Sequence, residues 1–402
     1  MNRCKLIRMT MAIAATALLA QTQLPAQTWR TVDDYQHTPG KTAFASGMGA
    51  DALGNIYAVG SGSDAANISH ALVMRSSDRG ATWQTIEDYN YLPGSNTCFV
   101  CFGVDPAQNL YAAGWVKMGT SGTRWLVRRS TDLGATWQTV DDFPYASGWG
   151  NLPLRIAADN SGNIYIAGRV SYLHSPQPAI DRWLVRRSRD GGATWATVDV
   201  YQYNGYLTTA VGVVTTPAGV FVAGFGGLHW IVRKSVDGGQ TWSIVNDYAY
   251  PNASGSGLGG LTVDNVGNLF TAGGASVTTV TKHGSTTQNY WVVRKGINGG
   301  TSWSNVCVSP NAAFQGGMGS DAAGNVYVFG GGSASPNNWV VWKGANSGTS
   351  WSLADSFLFD GLTTTRSEAF GYASDGLGNV YVCGSGTDPV SGSHWLVRKT
   401  TP

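Results

Sequence analysis

The chain has 402 residues, enough for a sizeable core, with only 12% charged side chains and a formal net charge of +2. That balance gives no electrostatic footprint for nucleic acid or for an anionic membrane surface. Glycine (54 residues) and tryptophan (16 residues) are abundant, as tight turns and packed sheet interfaces require.

The first element is a leader. Arg3, Lys5 and Arg8 precede an apolar stretch from Met9 to Ala20, which is the pattern of a secretory signal peptide. Residues 1–26 are expected to be removed, with 27–402 forming one domain that is secreted or periplasmic. Their loss takes the net charge from +2 to −1. No later segment is apolar enough to span a bilayer.

A strand follows in QTWRTVDDYQH (27–37), and then a unit repeats about every 50 residues. Each unit opens with a Gly-rich segment, read as the innermost strand. A turn of the form D-x-x-G-N and a short apolar strand ending in Gly come next, as in DALGNIYAVG (51–60) and DNSGNIYIAG (159–168). Seven such copies run to DGLGNVYVCG (375–384). A third strand, such as WLVRRS (125–130), leads into an eight-residue box and an outer strand. The boxes read SSDRGATW (76–83), STDLGATW (130–137), SRDGGATW (188–195) and SVDGGQTW (235–242), with weaker copies at 296–303 and 344–351. Alternating Val, Ile, Tyr and Trp bounded by Gly, Asn and Asp is a strand signal, and no segment of useful length has helical periodicity.

Seven repeats of four antiparallel strands predict an all-β, seven-bladed β-propeller. The last repeat stops before its box, and the missing outer strand sits at the other terminus. Residues 28–36 are therefore expected to pair into the C-terminal blade and close the ring. Within the box, the Asp and Ser side chains can cap backbone N–H groups. The weaker boxes, with Asn298 and Asn346 in the Asp slot and Gly296 and Gly344 in the Ser slot, should turn more loosely.

These boxes resemble the Asp-box (BNR) repeat S-x-D-x-G-x-T-W of sialidases, some xyloglucanases, sortilin-type receptors and photosystem assembly factors. The resemblance covers nearly the whole mature chain. It implies the propeller, with boxes placed away from any active site, and leaves the activity open because members of the family do unrelated things.

Function is expected on the face opposite the two fixed turns, where the connections vary in length. Trp115 and Trp149 are the two tryptophans outside the repeat slots, and Tyr172 and His174 lie in a neighbouring long loop. Arg155 occurs on the third inner strand where other repeats have Gly, Val or Cys, which aims it at the central channel. Together they suggest a saccharide or peptide platform; the plainer role of the two tryptophans is to cover long loops. The arginines recurring at Arg128, Arg186, Arg233, Arg294 and Arg398 read as donors between blades.

The sialidases that the boxes resemble use an arginine triad, a Tyr–Glu pair and an acid. The mature chain has two glutamates, Glu87 and Glu368. Glu87 fits a structural slot that is Asp141 in the next repeat. Glu368, with Arg366 nearby, is the catalytic candidate. Glycoside hydrolysis ordinarily needs a second carboxylate, and Asp64, Asp181, Asp360 and Asp388 are available on the variable face. No metal-ligand spacing or dinucleotide fingerprint occurs, so neither a metal nor another cofactor is expected. Cys98 and Cys101 lie three apart on an inner strand, which suits neither a disulfide nor a metal site, and Cys383 reads as an apolar filler.

The expectation is a monomeric binding or scaffold module for a glycan or an extracellular protein, acting without catalysis through its variable face. The alternative is a sialidase-like or other glycoside hydrolase.

Overall fold

A computed structural model describes residues 28–119, 121–172, 180–282, 284–310, 316–331, 338–361 and 366–401. Residues 1–27, which include the expected leader, and His174 lie outside the described residues. Seven four-stranded antiparallel sheets form a seven-bladed propeller. The innermost strands are Ala43–Ala50, Thr97–Val104, Gly150–Ala158, Thr208–Thr216, Gly255–Val263, Gly317–Ser320 and Ser367–Ser374, which begin blades 1 to 7. The first strand, Thr28–Tyr35, pairs with the last, Gly392–Thr401, and completes blade 7. Among the described residues no helix is long and apolar enough to cross a membrane.

The two fixed turns are held by carboxylates. In the turn after the innermost strand, Asp51 accepts the backbone N–H groups of Leu53 and Asn55, the Asn55 amide and the Tyr57 hydroxyl. Asp105 and Asp321 gather Asn109 with Tyr111, and Asn325 with Tyr327, in the same way. In the first box, Asp78 accepts from the Thr82 N–H (2.8 Å), the Thr82 hydroxyl (2.6 Å) and the Ser76 hydroxyl (2.8 Å). Gly80, at φ 84°, donates its N–H to Ser76 Oγ, a conformation that a Cβ would strain.

These bonds to Thr and Ser hold the carboxyls of Asp78, Asp132 and Asp190 down at about 2. A depressed carboxyl stabilises the fold above its unfolded pKa and loses that contribution as pH falls through the folded value. Asp132→Asn is therefore expected to lower the urea midpoint at neutral pH and to match the wild type near pH 2. A deficit of equal size at both pH values would count against the carboxylate's role.

The weaker boxes differ for a reason beyond the lost cap. Asn298 and Asn346 adopt left-handed backbone at φ 54° and 48°, and the second forms a single helical turn at Ala345–Gly348. A Cβ on Gly296 would sit 2.6 Å from the Trp303 ring, and one on Gly344 would sit 2.7 Å from Trp351. The tryptophan fills the space that the box serine occupies elsewhere.

The core lies between blades. Trp125, Trp183, Trp230, Trp291, Trp339 and Trp395 are at most 1% exposed. Beside them runs a clamp: Arg128 meets Glu87, Arg186 meets Asp141, Arg233 meets Asp199 and Arg398 meets Asp355, each acid belonging to the preceding blade. Each guanidinium also covers an aromatic ring of that blade, Tyr89, Phe143, Tyr201 and Phe357 respectively, at 3.8–4.2 Å. Arg294 has Asn246 and Tyr248 in these roles. Arginine donors between blades and a structural Glu87 are thus what the geometry contains.

One variable connection is not a loop. In blade 5 the strands Leu269–Thr281 and Gly284–Ile297 run on as a long hairpin above the ring. The Thr- and Val-rich ends of the two strands, residues 277–281 and 285–287, favour strand.

Candidate functional site

The innermost strands of blades 1 to 5 and 7 carry a β-bulge where the register slips by one residue, as between Ala45 and Gly47 or Ala369 and Gly371, while Gly317–Ser320 of blade 6 pairs without a slip. The bulge re-aims one side chain in each bulged strand. Ser46, Val100, Leu154, Val211 and Phe370 line the mouth of the central channel, with glycines at 259 and 316 completing the ring. Above and around them is a cavity of about 1060 Å³. Its wall is mainly apolar, with Phe44, Trp115, Leu152, Phe225 and Tyr290, and its polar groups include Ser256, Ser276 and Asn289.

Arg155 lines this cavity. Its guanidinium crosses the channel, with one terminal nitrogen 3.1 Å from where a Cβ on Gly317 of blade 6 would be. One N–H donates to the carbonyl of Leu154 at 2.7 Å. Among the described residues no carboxylate pairs with Arg155. Burial lowers its pKa, the direction expected for a cation taken out of water without a compensating charge. The thiol of Cys101 stands nearby and is pushed up to about 12 by burial, as is that of Cys98. Both are protonated, offer no counter-charge, and are free. Cys383 is fully buried among apolar neighbours, as its slot suggested.

The other sequence candidates fall into two further groups. Trp149 packs at a tilt against Tyr145 at 5.1 Å and Tyr172 at 5.4 Å, with Arg182 at 5.8 Å from its ring. This cluster roofs the junction of blades 2 and 3 and does not join Trp115 in the cavity wall. Arg366 and Glu368 form an ion pair at the entry of the last inner strand. Glu368 is 22% exposed and lies against Gly331 of blade 6.

The possible second carboxylates are engaged locally. Asp388 holds the N–H groups of Val390 and Ser391, Asp64 holds that of Ile68, and Asp181 stands 3.5 Å from Arg169. Asp360 is half-buried beside Phe359, near the end of blade 6. The structure therefore gathers Trp115 and Arg155 in one cavity, Trp149 and Tyr172 in a rim cluster, and Glu368 with Arg366 at a third point.

Sequence reasoning missed the ring of bulge residues. The slips that create it have no fixed residue type, since serine, valine, leucine, glycine and phenylalanine all serve.

No protein-family model matches the chain. A xyloglucanase from Paenibacillus is 31% identical over 166 residues, a match covering 37% of this chain and 15% of that protein. The match therefore takes in a small part of that relative's length. Among solved structures, a polysaccharide lyase is similar with a TM-score of 0.54 and 8% identity, covering 87% of this chain and 88% of the other. An α-L-arabinofuranosidase from Fusarium graminearum gives a TM-score of 0.51 and 10% identity over 92% and 98% of the two chains. A Hadza microbial sialidase gives 0.50 and 12% over 89% and 66%. At these identities the likeness establishes the propeller fold.

Proposed function

We propose that this chain is a secreted or periplasmic Asp-box propeller that binds an acidic saccharide at its channel mouth. The observation that carries the reading is Arg155, a cation without a carboxylate partner that crosses an apolar, aromatic-walled cavity. A uronic or sialic acid carboxylate supplies the missing charge, while Trp115 and Tyr290 offer faces on which a sugar ring can lie. The carbohydrate-active relatives support a saccharide as the class of ligand.

A second reading is hydrolysis or elimination at a glycosidic bond, with Glu368 as the acid or base. The partial match to a xyloglucanase favours it. The pairing of Glu368 with Arg366, and the local engagement of Asp64, Asp181 and Asp388, speak for binding without turnover.

One experiment separates the two. The purified chain is passed over immobilised acidic and neutral polysaccharides, and released sugar is assayed in parallel. Retention on acidic polymers is expected to weaken about 10–100-fold in Arg155→Met, the effect of losing a charged hydrogen bond. Equal retention of Arg155→Met would overturn the binding site. Sugar release that disappears in Glu368→Gln would establish the enzyme instead.

A further inference from the structure

Where the outer strands of blades 2, 4 and 7 end on the variable face, one contact recurs between neighbouring blades. The outer strand of a blade carries an acid, and the residue that starts its third strand bonds to it. An aromatic from the preceding blade completes the contact. In blade 2, Asp142 takes Arg124 at 2.5 Å and the Tyr91 hydroxyl at 2.7 Å. In blade 4, Asp247 takes His229 at 2.6 Å and the Tyr203 hydroxyl at 2.8 Å. In blade 7, Asp34 takes His394 at 2.6 Å, and Phe359 lies 4.6 Å from the His394 ring.

Blade 1 departs from this pattern in one way. The aromatic slot, which follows the N-terminal strand, holds His37. His37 Nε2 lies 3.0 Å from Asp88 Oδ2, and His70 Nδ1 lies 2.7 Å from Asp88 Oδ1. The two imidazole rings are 5.0 Å apart. One ligand atom from each of His37, His70 and Asp88 falls within a 4.8 Å span. Among the described residues no other such group of three forms.

We propose that His37, His70 and Asp88 form a binding site for a divalent transition-metal ion of the zinc type. Two neutral imidazoles and a carboxylate are a donor set that suits zinc, and ligand bonds of about 2.0–2.1 Å put donor atoms about 3.3 Å apart around a tetrahedral ion. The spacings around Asp88 are close to that value, so small side-chain rotations admit the ion.

The surroundings fit as well. Asp64 Oδ2 lies 3.6 Å from His70 Nε2, and Asp64 is itself held by the Ile68 N–H at 2.8 Å. A carboxylate behind a ligating histidine fixes its ring and tautomer. The Nδ1 of His37 is closed off without a partner, which leaves Nε2 as its reaching nitrogen. Asp88 is 44% exposed, against 17% for His37 and 22% for His70. The ion would therefore keep a solvent-facing position for water or a ligand oxygen. It would also tie the exit of the N-terminal strand to blade 1.

The repeat supplies the control. His37→Tyr with His70→Arg rebuilds in blade 1 the Tyr91–Asp142–Arg124 arrangement of blade 2, so the fold should tolerate it. The full chain without a polyhistidine tag is stripped with chelator and titrated with zinc by calorimetry, and with cobalt followed by its visible absorption. One ion per chain at micromolar concentration is expected for the wild type, with a higher Tm when zinc is present. Both effects should vanish in the double variant, and Asp88→Asn should weaken them. Failure of the wild type to bind one equivalent at micromolar zinc overturns the proposal, and so does unchanged binding by the double variant.

Discussion

Asp355→Ala is expected to destabilise the propeller by about 3–5 kcal/mol, the cost of leaving a buried charge without its partner. Asp355 and Arg398 are 7% and 8% exposed, and two hydrogen bonds of 2.7 and 2.9 Å join them. Arg398 also reaches the Thr31 hydroxyl at 3.1 Å. One guanidinium thus links blade 6, the last strand and the N-terminal strand. The double variant Asp355→Leu with Arg398→Met should lie far closer to the wild type, because replacing both members avoids the orphaned charge.

The chain contains its own precedent. In the corresponding slots of blades 5 and 6, Cys307 pairs in register with Val293, and Trp342 takes the arginine's place. Both pack against one apolar cluster. Chemical denaturation of the wild type and the two variants is the measurement. A double variant as unstable as Asp355→Ala would show that the ion pair itself, and not the orphaned charge, sets the energy.

The second large effect is at the seam of blades 7 and 1. There the acid and aromatic slots hold Asp33 and Tyr35, but Met74 stands where the arginine should be. Met74 is 3% exposed and pairs in register with Thr85, the counterpart of the Thr139 that Arg128 contacts. Asp33 Oδ2 is closed off without a partner. Burial, and then the neighbouring Asp34 charge, push its carboxyl up to about 7.

The sign follows from the linkage between protonation and folding. Above about pH 4 the unfolded chain releases this proton while the folded chain keeps it until about pH 7. Stability therefore falls across that window, by at most about 4 kcal/mol. Asp33→Asn is expected to be more stable than the wild type at about pH 8 and to match it at about pH 4. Met74→Arg should have the same pH signature by supplying the missing cation. Urea titrations at the two pH values decide the matter. A wild-type advantage over Asp33→Asn at the higher pH would refute the orphan carboxyl.

Much of this architecture is legible in the residues alone. The recurring Ser, Asp, Gly and Trp of the boxes place the outer turns. The match of 27–37 to the segments after each box places the closing strand, and Arg155 stands out because its slot is small in other repeats. Other features are not legible, because they depend on which blade faces which. Glu87 and Arg128 are 41 residues apart and meet only once two sheets pack. His37, His70 and Asp88 each occupy an ordinary repeat slot, and their chemistry appears only where a seam brings the slots together. Trp149 reads like Trp115 in sequence. A cluster with Tyr145 and Tyr172 holds it away from the cavity, and that cluster depends on loop paths rather than on strand pattern.

The closed ring also orders events in time. Thr31 and Arg398, bonded in the finished seam, are 367 residues apart. During synthesis the N-terminal strand emerges first and waits with an unsatisfied edge until the final strand is free. Contacts of such separation form slowly, because loop closure is entropically costly before any pairing compensates it. The six blades whose strands are contiguous in sequence can assemble locally in the meantime. The last act of folding is then the addition of one strand to blade 7, and a chain lacking Thr28–Tyr35 would leave the Gly392–Thr401 strand with an unpaired edge.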